Sequence, residues 1–229
     1  MLHILTKKDG FTLSELLVAM VISAVVMAAI YSSYYSQQRS YLIQEQVAAM
    51  QQNLRGAMFY MEKEIRMAGC DPLRAADAGI TAANANSISF TEDITDGAAG
   101  APDGDTSDAN ESITYSLATG DLWRNDVNGI GNQRIAPNID ALNFVYLDGA
   151  SPPNVLDDDG SGNVTTSISQ IRSVQITIVA RTDRDDPQDK YTDTSSYTNQ
   201  QGTVILAAQN DHFRRRLLTT TIRCRNLGL

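Results

Sequence analysis

One carboxylate stands where carboxylates are costly. Glu15 sits four residues into an apolar stretch that holds Phe11 and Leu13 and then runs from Leu16 to Tyr31, interrupted by Ser23. A carboxylate in an apolar helix costs about 2.5–3.5 kcal/mol on insertion scales, so it marks function by default; the bland reading is a side chain reaching back to the interface. Cys70 and Cys224 permit one disulfide in an oxidising space, or stand as two separate buried thiols. Asp157, Asp159 and Ser161 fall on the first three ligand positions of a calcium loop, with Gly162 at the turn; the twelfth position is Ile168, so the closing Glu is missing. Asp183, Asp185, Asp186 and Asp189 make a second acidic cluster, and solvated turns are the bland reading of both. The basic concentration is Arg214-Arg215-Arg216 with Arg223 and Arg225. On a chain of net charge -9, with Phe213 as its one aromatic neighbour, it is expected to pair with acidic loops or a neighbouring subunit rather than with nucleic acid. Past residue 10 the chain has one histidine, His212, and no Gly-x-Ser-x-Gly, phosphate loop or Cys/His ligand spacing. Neither an enzyme nor a cofactor is expected.

These residues need elements to hold them. Phe11 to Tyr35 is 25 residues, roughly 37 Å as a helix, enough to cross a hydrocarbon core of about 30 Å. Lys7 and Lys8 precede the run and no basic residue follows until Arg39, which places the N-terminus in the cytoplasm. A secretory signal would have a shorter apolar core and a small-residue cleavage site after it. Residues 36–68 lack proline, and apolar side chains recur at Val47, Met50, Leu54, Met58, Met61, Ile65 and Ala68. That spacing predicts one helix from Thr12 to Ala68, amphipathic in its second half and stopped by Gly69 and Pro72.

Beyond Pro72 the period changes. Ser87–Thr91, Ser112–Leu117, Leu142–Leu147, Ser173–Ala180 and Leu217–Cys224 alternate or are rich in β-branched residues, and read as strands. Ala118-Thr119-Gly120-Asp121 reads as a hairpin turn leading into Leu122–Arg124. Polar stretches 92–111, 125–138, 148–170 and 183–203 read as long loops. The expected fold is α+β: one long helix, its amphipathic half covered by an antiparallel sheet.

The segment Lys7-Lys8-Asp9-Gly10-Phe11-Thr12-Leu13-Ser14-Glu15 resembles the leader and cleavage site of type IV prepilins and type II secretion pseudopilins. Two further segments are similar to PilW-type minor pilins: Met61-Glu62-Lys63-Glu64-Ile65-Arg66-Met67-Ala68-Gly69-Cys70 and Thr220-Thr221-Ile222-Arg223-Cys224-Arg225-Asn226. The second is also similar to J-type pseudopilins. The resemblance implies a type IV pilin-like fold, a leader of residues 1–10 removed after Gly10 by prepilin peptidase, and N-methylation of Phe11. It implies that Glu15 pairs with the Phe11 amine of the same or the adjoining subunit. Residues 11–35 would anchor the chain in the inner membrane and enter the filament core, 36–69 would be the amphipathic half of the helix, and 70–229 the exported head. The implied function is a minor, tip-associated pilin that helps start filament assembly beside other major and minor pilins and a tip adhesin. The alternatives are a J-type pseudopilin in a periplasmic pseudopilus and, from another class, a membrane-anchored module whose loops bind calcium or a surface ligand.

Overall fold

A computed structural model describes residues 10–96, 100–186 and 190–228. Most of the leader and Asp189 lie outside the described residues. The chain forms two compact units, one ending at Glu45 and the other running from Gln46 to Leu229.

The helix α1 spans Leu13–Met67. In the first unit no described residue from Gly10 to Glu45 is buried. The apolar side chains there, from Leu16 to Tyr35, have no core of their own. In the second unit the same helix buries Met50, Leu54, Ala57, Met58, Met61 and Ile65, with Val47 partly covered. Met61 and Ile65 are fully enclosed, and burying a side chain of this size contributes about 1.5–3 kcal/mol. The helix stops where Gly69 takes φ +78°, its amide donating to Thr91 O at 3.0 Å.

The strands are β1 Ile80–Asn84, β2 Ser87–Thr91, β3 Ser112–Ala118, β4 Asp121–Asp126, β5 Gly131–Ala136, β6 Ile139–Leu147, β7 Val155–Leu156, β8 Ser173–Arg181, β9 Tyr197–Thr198, β10 Val204–Leu206 and β11 Arg215–Arg223. They build an antiparallel meander β1-β2-β3-β4-β5, a four-stranded sheet β11-β8-β6-β7 and a two-stranded ribbon β10-β9. Sequence patterning predicts one sheet where the structure has three. Ile88 and Phe90 of β2, Ile113 and Tyr115 of β3, Phe144 and Tyr146 of β6 and Ile176 and Ile178 of β8 share one core with the helix face. The two larger sheets are joined at Ala85, whose carbonyl accepts Phe144 N at 2.8 Å, and at Gly120, whose carbonyl accepts Ile139 N at 2.8 Å.

The stretch 125–138 is a correction to the expected loops: it holds the end of β4 and all of β5. β5 reads Gly-Asn-Gln-Arg-Ile-Ala and lies at the edge of the meander, where one side meets solvent and polar residues are tolerated. β1, Ile-Thr-Ala-Ala-Asn, has too few β-branched residues to stand out.

Candidate functional site

Thr12 caps the apolar helix, and Glu15 returns the bond. Glu15 Oε2 accepts both the Thr12 amide and the Thr12 hydroxyl at 2.8 Å, and the Glu15 amide donates to Thr12 Oγ1 at 3.3 Å. This is a capping box, Thr-x-x-Glu, and it satisfies first-turn donors that would otherwise lack partners within the helix. Its signal, Thr12-Leu13-Ser14-Glu15, is local to four residues of the sequence. Glu15 also lines one helix groove with Ser14, Val18, Ala19 and Ile22, a carboxylate bordered by apolar surface. Phe11 is 91% exposed at the head of this segment.

The amphipathic half of the helix meets the meander through one carboxylate. Glu64 Oε2 accepts the Tyr115 hydroxyl at 2.5 Å, and Arg124 Nε approaches the same oxygen at 3.0 Å. Arg124 also donates to Asn110 Oδ1 at 3.0 Å and lies 3.9 Å from Asp126. Burial, then the Glu64 charge, push the Tyr115 phenol far above its ordinary range, so it stays a donor. Glu92, also buried, is pushed up to about 7, by burial first and then by the Glu64 charge.

Of the arginine group, Arg214 and Arg215 pair within the head, while Arg216, Arg223 and Arg225 are exposed. Arg215 Nε donates to Asp140 at 2.6 Å; its terminal nitrogens reach Asp193 at 3.1 Å and Asp211 at 2.6 Å. Arg214 pairs with Asp186 at 3.3 Å and lies over the Tyr191 ring at 4.2 Å. His212 places Nδ1 2.7 Å from the Tyr191 carbonyl.

The loop that partly matches a calcium loop closes on itself through its own amides. Asp157 Oδ1 accepts the amides of Gly160 and Gly162 at 2.8 and 3.0 Å, and Asp159 Oδ1 accepts those of Ser161 and Asn163 at 2.8 and 3.2 Å. Asp158 accepts from Thr165, Thr166 and Ser167. The Ser167 hydroxyl first, and then the three amides, hold its carboxyl well below the usual range.

Two family models match the chain. The prokaryotic N-terminal methylation motif covers residues 5–31, and Type IV Pilus-assembly protein W covers residues 119–226. Among solved structures, a type IV-like pilin from Thermus thermophilus is similar in fold, with TM-score 0.52 and 14% identity over 77% of this chain and 97% of that one. No curated protein matches the chain.

The chain is a type IV pilin-like protein.

The match to protein W and the fold support a minor pilin, and the methylation motif with its apolar helix fits an inner-membrane-anchored one. The helix of this pilin is long and apolar enough to cross a membrane. Its two cysteines are separate thiols in the structure, so the Cys70–Cys224 bridge is not formed here. The chain segments are neighbours, since Asn226 Nδ2 donates to Met67 O at 3.1 Å. Cys224 nevertheless belongs to the core, and burial pushes its thiol up to about 12. Burial, then the charges of Glu92, Asp93 and Asp71, also raise Cys70. Both shifts suppress the thiolate that forms disulfides. The pilin's Glu64 junction was beyond sequence reading, because its partners lie 51 and 60 residues away.

Proposed function

We propose that this chain is a structural minor subunit of a bacterial type IV pilus, placed near the filament tip and helping to start assembly. The observation that carries this reading is the exposed apolar helix of Gly10–Glu45 ahead of a strand-rich head that matches protein W. An apolar helix with no intramolecular core needs lipid, and later the helices of neighbouring subunits, around it. Prepilin peptidase cuts after Gly10, where the absence of a Cβ leaves the backbone uncluttered, and Phe11 becomes the methylated N-terminus. In the uncut chain Glu15 is occupied by Thr12. Cleavage creates a cationic amine one residue before Thr12, and Glu15 then pairs with that amine in its own or the adjoining subunit. The pairing removes two isolated charges from the apolar interior and sets axial register. The head is exported, Lys7 and Lys8 remain cytoplasmic, and the role is structural rather than enzymatic.

Mass spectrometry of the subunit from membranes and from sheared pili tests this. The expected mature chain starts at methylated Phe11, and Gly10→Val keeps the leader while still inserting. Glu15→Ala is processed but depleted from sheared pili. A chain cut after residue 35, or normal recovery of Glu15→Ala in pili, overturns the reading.

A further inference from the structure

The inner face of the meander ends in a polar corner that the assembly function does not use. Ile88 and Phe90 of β2 are buried in alternation, and Glu92, one residue past the strand, follows them at 4% exposed. Glu111 ahead of β3, and Arg124 and Asp126 of β4, are buried in the same corner, and Glu64 reaches it from α1. Four carboxylates therefore share one guanidinium. Arg124 gives Nε to Glu64 at 3.0 Å and one terminal nitrogen to Asn110 at 3.0 Å, and its other stands 3.9 Å from Asp126. Glu111 accepts the amides of Ile94 and Thr95 at 2.8 and 2.9 Å, and Asp126 accepts that of Asn110 at 3.0 Å. Among the described residues nothing does the same for Glu92: no hydrogen bond or ion pair reaches its carboxyl, and its Oε2 is buried bare. A buried carboxylate without a partner, beside three others, is costly, and a proton relieves that cost.

The backbone on both sides of Glu92 fastens the helix end to the sheet. The Gly69 amide donates to Thr91 O at 3.0 Å, and the Asp93 amide donates to Cys70 O at 2.7 Å. The Glu92 amide itself donates to Glu111 O at 2.9 Å. A charged side chain drawn toward water at this point pulls on all three bonds.

We infer that Glu92 is a proton-dependent latch between the end of α1 and the meander: with its carboxyl neutral β2 stays fastened to Gly69 and Cys70, and with it ionised the fastening loosens.

The groups that face Glu92 act in both directions. Burial first, and then the Glu64 charge, push it up to about 7; Glu111 pushes the same way, while Arg124 and Lys63 oppose. Tyr115 of β3 is held on Glu64, and the Cys70 thiol at the helix end is raised in part by Glu92 itself. A carboxyl raised in the folded state contributes stability that is complete below its unfolded pKa of about 4.3 and is lost as pH rises through the folded value. The latch is therefore shut in acid and slack in alkali. Burial raises the adjacent Asp93 as well, so a variant, rather than pH alone, identifies the group. The latch does not rest on the pilus reading, because it is tested on the purified chain.

Hydrogen exchange of the detergent-solubilised full chain, read by mass spectrometry on peptides covering residues 67–73 and 88–95, tests the latch. Protection, corrected for the intrinsic exchange rate at each pH, is expected to fall about tenfold between about pH 6 and pH 8 in the wild type. In Glu92→Gln, a neutral isostere of the protonated side chain, it is expected to change by less than about twofold, and residues 173–181 of the other sheet are expected to change as little in both chains. Constant protection in the wild type, a pH dependence that survives Glu92→Gln, or an equal change in residues 173–181 overturns the inference. If Glu92→Gln does not fold, the wild type labelled with carboxyl-13C glutamate decides by nuclear magnetic resonance. One glutamate titrating within about one unit of pH 7 is expected, and titration of every glutamate below about pH 5.5 overturns the latch.

Discussion

Arg215 stands with a side chain 3% exposed between Asp140, Asp193 and Asp211. Its guanidinium fork answers three carboxylates at once, which a lysine's point charge does less well. Arg215→Met leaves Asp193 and Asp211 without their cation, while Asp140 keeps Arg181 at 3.1 Å, and denaturant unfolding of the detergent-solubilised chain is expected to register a loss of about 3–5 kcal/mol. The exposed neighbour Arg216, by contrast, is expected to change stability by less than about 0.5 kcal/mol when replaced by alanine. The same group sets an acid limb. The Arg215 hydrogen bond first, against some burial, holds Asp211 below the usual carboxylate range. Burial pushes Asp193 up, but the Tyr197 hydroxyl, the Ser195 amide and Arg215 together bring it down. Carboxyls depressed in the folded state contribute stability that is complete above their unfolded pKa of about 3.9 and lost as pH falls through their folded values. The Tm of the wild type is therefore expected to drop on acidification below about pH 4. Glu92, raised to about 7, gives both chains some Tm rise below neutral pH; in Arg215→Met the uncompensated Asp193 and Asp211 also favour protonation, and Tm is expected to rise more steeply than in wild type as pH falls toward that point. A pH dependence of Tm no steeper in the variant than in wild type would falsify this account of Arg215.

The helix and the strands differ in how openly the sequence announces them. Thr12 to Ala68 is the predicted helix and Leu13–Met67 the observed one, because α-helical hydrogen bonds and side-chain neighbours are both local, three or four residues apart. β2 appears at its predicted bounds, and β6, β8 and β11 within a few residues of theirs, since buried alternation is a strong signal. β1 and β5 escaped because an alanine-rich and a polar edge strand owe their existence to the partner beside them. Two glycines in and after the helix separate propensity from geometry. A Cβ added at Gly56 meets nothing within 4 Å, so Gly56→Ala is expected to stabilise the chain by about 0.5–1 kcal/mol. Gly69→Ala is expected to destabilise it by at least about 1–2 kcal/mol, since φ is +78° there and the new Cβ falls 2.6 Å from Leu227 Cδ2. Thermal unfolding followed by circular dichroism distinguishes the two signs.

At the scale of the whole molecule the chain divides at Glu45. No described residue before that point is buried, and the core begins at Met50. A chain beginning at Gln46 is therefore expected to be soluble without detergent, to fold, and to melt within a few degrees of the full chain; aggregation or loss of cooperative melting would show that the apolar segment supports the head. The sequence by itself determined the features that neighbouring residues create: the processing motif around Gly10 and Phe11, the apolar run, the capping residues Thr12 and Glu15, the single long helix and the alternating strands. Each depends on residues a few positions apart, so a linear reading contains them. Only the tertiary structure decided which charges meet. Glu64 finds Tyr115 and Arg124, and Arg215 gathers Asp140, Asp193 and Asp211. Sheet order and register set those encounters, and both arise from the joint burial of many apolar side chains, a balance that no single segment encodes.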